Sequence, residues 1–73
     1  MTNTKLLRQK IKDSGLRMGY IVEKLDTSYG WLDKKIEGTV PFKAWEIHVL
    51  CEILGITDLQ EKEDIFFAID VGI

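Results

Sequence analysis

Seventy-three residues make one small domain, which buries only about 60% of the surface its unfolded chain exposes and has no room for a deep substrate cavity. One cysteine, Cys51, excludes an internal disulfide, and with only His48 beside it the chain lacks the ligands of a structural zinc site. The formal charge of −2 is unevenly divided, because residues 1–36 carry eight Lys/Arg against four acids and residues 37–73 carry two Lys against eight acids.

The basic half suits phosphate or an acidic partner, and the acidic half should turn away from DNA or face something basic. No stretch approaches 18 apolar residues and no signal-peptide run opens the chain. A soluble, cytoplasmic protein is expected, without membrane contact, cofactor or small-molecule substrate. There is no repeat, low-complexity tract or linker, so residues 1–73 are expected to form a single domain.

Five short helices are predicted. The first covers "TKLLRQKIKDS", with Leu6, Leu7 and Ile11 at helical spacing and Gly15 as a stop. On it Lys5, Arg8 and Lys12 share one face, which is read as solvated. The second runs roughly from Arg17 to Leu25, and a turn follows at Asp26 and Thr27. Ser28 is a natural N-cap, because its hydroxyl accepts from a free amide of the next first turn. The third helix then runs to Ile36, and Gly38 can take the positive φ that ends it.

"TVPFKA" is a loop, and Pro41 marks its boundary. The fourth helix spans about Lys43 to Leu54, with Ala44, Ile47, Leu50, Cys51 and Leu54 recurring at three and four. Its Trp45 falls outside that apolar stripe and belongs to the rim or an interface. Thr57 is expected to cap a fifth helix, "DLQEKEDIFFA", in which adjacent Phe66 and Phe67 cannot both point inward. The tail "AIDVGI", residues 68–73, is apolar and β-branched but has no second strand to pair with.

His48 and Cys51 lie at i, i+3, yet no third orienting group accompanies them, and a cysteine on an apolar repeat is normally core. Neither catalysis nor a metal site is expected.

Residues 5–67 resemble the Cro/CI-type helix-turn-helix regulators. The resemblance rests on Leu6 and Ile11; on "GLRMGYIVEKL"; on Ser28, Leu32, Lys35, Ile36 and Gly38; and on Phe42, Ile47, Cys51 and "EILGI". It implies an all-α, compact five-helix domain of the lambda repressor-like type, with the helix-turn-helix unit at about 17–37. Three positions depart from the family pattern: Met18 stands where a phosphate-contacting Gln is common, Val22 where a packed Ala is usual, and Asp26 where the turn often has Gly. Asp visits the left-handed region more readily than most residues.

In a helix starting at Ser28, the outward residues near the N-terminus are Ser28, Tyr29, Gly30 and Asp33, with Leu32 and Ile36 inward. Base reading favours Arg, Lys, Asn or Gln, and none of them occupies 29, 30, 31 or 33. Tyr and Trp instead dominate protein interfaces. Gly30 is costly inside a helix and suggests close approach of another backbone. This composition resembles the small modulator-of-repression or antirepressor proteins of lactococcal temperate phages.

That resemblance implies a regulator of a lysis–lysogeny switch that binds its cognate CI-like repressor at the N-terminal helix-turn-helix domain. The expected partner-binding residues are Met18, Ser28, Tyr29, Gly30, Trp31, Asp33 and Lys34, with Asp33 pairing with a donor of the partner. The alternative is a Cro-like dimer that binds operator DNA directly through Arg17, Ser28, Tyr29, Lys34 and Lys35. A third possibility leaves Trp31 packed on the core rim against Met18 or Tyr20.

Overall fold

The computed structural model describes residues 1–68, and most of its helix ends follow from a local signal. Helix α1 (Thr4–Ser14) opens where the Asn3 side chain accepts from the Leu6 amide at 3.1 Å. It stops at Gly15, whose φ of +74° and bond to the Lys12 carbonyl turn the chain away. Helix α2 (Met18–Lys24) is shorter than the spacing predicts, because Arg17 and Leu25 flank it as caps. Helix α3 (Tyr29–Ile36) has its expected bounds. Helix α4 (Ala44–Leu54) follows the loop at Pro41 and ends at Gly55.

Helix α5 (Leu59–Phe66) is capped by Asp58 and not by Thr57, since the Asp58 carboxylate accepts from the Gln60 amide at 3.3 Å. Among the described residues there is no strand. Among the described residues no helix is long and apolar enough to cross a membrane. The expectation of a β-branched tail falls on residues 69–73, outside the described set; Ala68 before them donates its amide to the Met1 carbonyl at 2.9 Å.

Leu7, Ile21, Leu25, Leu32, Ile36 and Leu50 form the centre of the core, each with at most 1% of its surface exposed. Helix α1 is its hub, packing against α3, α4 and α5, while α2 packs on α3. Two bonds fasten α1 at its start. Thr4 donates its hydroxyl to the Ile36 carbonyl at 2.6 Å, and the Asn3 amide donates to the Ile65 carbonyl at 2.6 Å. The adjacent phenylalanines separate as their spacing requires. Phe66 is buried edge-on to Phe42, with ring centroids 5.7 Å apart, and Phe67 is exposed. Cys51 is half-buried against the core, and that burial pushes its thiol pKa up, away from the reactive thiolate.

Candidate functional site

The region of interest is α3 and the turn that delivers it. Leu25–Ser28 connects α2 to α3, and Asp26 within it sits at φ +50°, a left-handed conformation that a short polar side chain tolerates. Ser28 then accepts from the Trp31 amide at 3.2 Å and sets the first turn of α3. With this start, Leu32, Lys35 and Ile36 fall on the buried side, and Tyr29, Gly30, Trp31, Asp33 and Lys34 on the exposed side.

Tyr29 is 61% exposed and Trp31 is 45% exposed. The Lys34 ammonium lies 5.5 Å from the centroid of the Trp31 ring, so a cation–π contact holds these two outward side chains together. Trp31 is therefore not core. The Tyr20 ring has a similar cation of its own, Lys24, at 5.4 Å. Gly30 sits between the two aromatics with nothing within 4 Å of where a Cβ would stand, so among the described residues nothing beyond its own helix backbone and chain neighbours approaches that position. The opening at Gly30 faces solvent.

Three expected site residues are placed differently from expectation. Lys35, assigned to DNA in the operator-binding alternative, has only 3% of its surface exposed and forms a buried ion pair with Glu46 of α4. An ammonium in that position neutralises a buried carboxylate and has no route to DNA. Asp33, expected to await a partner's donor, already accepts from Arg8 of α1 at 3.0 Å, although its side chain stays 62% exposed. Arg8 also bonds Glu37, and these two carboxylates raise the guanidinium pKa, the Glu37 bond most strongly. The Lys5/Arg8/Lys12 face of α1 is thus exposed, as expected, but Arg8 is tied to α3. Met18 is half-buried against the core and offers only part of its thioether to the surface. Arg17, at the start of α2, is exposed.

Glu46 escaped the sequence reading. It is 2% exposed, pairs with Lys35 through one oxygen and accepts from the Lys43 amide through the other at 2.7 Å. A Glu three residues after a helix cap is the reach-back half of a capping box, but Lys43 has no acceptor to complete the pattern, so the signal was weak. Among the described residues no buried side-chain polar atom is left without a partner. In comparisons with known proteins, no family model, curated protein or solved structure matches the chain.

Proposed function

We propose that this chain is a helix-turn-helix protein of the Cro/CI type that regulates a phage lysis–lysogeny switch by protein contact. In this reading α2 and α3 are the helix-turn-helix unit. The partner is the cognate CI-like repressor, whose N-terminal DNA-binding domain is masked or remodelled by the outer face of α3. The observation that carries the proposal is that face itself: Tyr29, Trp31, Asp33 and Lys34 stand exposed around an open Gly30. Two aromatics bury large areas with few rotors to freeze, which is what interface hot spots require. A DNA-binding domain offers them a basic surface, and Asp33 keeps enough exposure to meet a cation besides Arg8.

Direct operator binding through the same helix is less well supported. With Lys35 buried, Lys34 is the one exposed lysine of α3, and it lies over the Trp31 ring. One such cation positions a protein on a backbone but does not read bases.

A gel-shift titration on the switch region, with the protein alone and then with the repressor, at two salt concentrations, tests the proposal. The expected result is no specific shift by the protein alone and an altered repressor shift when both are present. A sequence-specific shift by the protein alone that weakens steeply with salt, by about 0.9 log units per phosphate contact and decade of salt, would sink it.

A further inference from the structure

One glycine lies within the exposed face and another beside it on α2, and they differ in what surrounds them. Around Gly30 there is open space, whereas a Cβ at Gly19 would stand 2.8 Å from the hydroxyl oxygen of Tyr29 and 4.0 Å from its Cζ. A separation of 2.8 Å is below van der Waals contact, so the Tyr29 hydroxyl occupies room that exists only because residue 19 has no side chain. Gly19 lies in the first turn of a seven-residue helix, where glycine is a poor helix former. The exposed ring of Tyr29 thus places its polar end against α2 at Gly19.

We propose that Gly19 is a positioning residue for Tyr29. It gives the hydroxyl a seat on α2, so that the ring is already in place when a protein partner docks on α3. The inference rests on the reading of Tyr29 as a partner contact. Presetting an aromatic side chain removes the entropy of ordering it on binding, which raises affinity without adding a contact. The clash in a Gly19→Ala variant falls on the far end of a rotatable side chain, so the fold survives and Tyr29 is displaced.

The test is a calorimetric titration of the repressor's DNA-binding domain with five forms of the full chain: wild type, Gly19→Ala, Tyr29→Phe, Tyr29→Ala and the double variant Gly19→Ala/Tyr29→Phe. Gly19→Ala should weaken binding about two- to tenfold, the size expected for re-ordering one side chain. Its thermal unfolding should be no lower than that of the wild type. Phe at 29 removes the clashing oxygen and leaves Cζ at 4.0 Å, an ordinary contact, so the alanine should have no effect in that background. A nuclear Overhauser contact between the Tyr29 ring and the Gly19 α-protons should be present in the free protein and lost in Gly19→Ala.

Equal weakening in the Tyr and Phe backgrounds overturns the proposal, because the alanine would then act without the hydroxyl. Weakening by Tyr29→Ala with none by Gly19→Ala overturns the positioning role alone. Unchanged binding by Tyr29→Ala overturns the α3 interface and this inference with it.

Discussion

The two sides of α3 carry adjacent lysines with opposite fates. Lys34 points outward and lies over the Trp31 ring, while Lys35, one residue on and about 100° around the helix, is buried against Glu46. The outward side is a set of exposed aromatic and charged groups, held by surface contacts such as Lys34 over Trp31 and Arg8 on Asp33. The inward side is a core layer of Leu32 and Ile36 with a fully desolvated ion pair in it. Stability should therefore depend on the inner side and partner binding on the outer one.

The largest effect should come from splitting the buried pair. Lys35→Ala or Glu46→Ala strands one charge in the core and should cost about 3–5 kcal/mol in denaturant unfolding. Lys35→Met combined with Glu46→Gln removes both charges and keeps an acceptor for the Lys43 amide, so it should recover most of that loss. A double variant as unstable as the singles would show that the pair itself, and not the stranded charge, is what matters.

Next comes a contrast between neighbours. Leu32 is fully buried, so Leu32→Ala should cost about 2–5 kcal/mol. Trp31→Ala should leave unfolding close to the wild type yet, if the proposed function holds, weaken repressor binding by about 2 kcal/mol or more, roughly thirtyfold. Unchanged repressor binding would remove Trp31 from the interface. The smallest effect is a gain: Gly30→Ala adds a methyl group in open space and should raise stability by up to about 1 kcal/mol, read from the urea midpoint. A loss there would mean that the backbone at Gly30 needs glycine.

Much of the fold was legible because the helices are bounded by local chemistry. Ser28 holds its cap, and Gly15, Gly38 and Gly55 take positive φ values at helix ends, whereas the Asn3 cap of α1 was not read from the sequence. The fifth cap was misread by one residue, since Thr57 and Asp58 are both competent and only the chain's path selects between them. Of the candidate site, the outward placement of Ser28, Tyr29, Gly30 and Asp33 followed from counting around a helix that starts at Ser28. The same counting did not find the buried side of Lys35, the hold of Arg8 on Asp33, or the seat of Tyr29 on Gly19.

Those three share a physical cause. Each joins residues on different helices, separated by 11 positions for Lys35 and Glu46 and 25 for Arg8 and Asp33. Periodicity, capping and turn chemistry act over one or two turns, so by itself the sequence determined five helices, most of their ends to within a residue, and much of what α3 turns outward. Whether a lysine is solvated or neutralised, and whether an exposed tyrosine is free or seated, depends on which other helix lies against it. Only the packing of α1, α2 and α4 around α3 decided that.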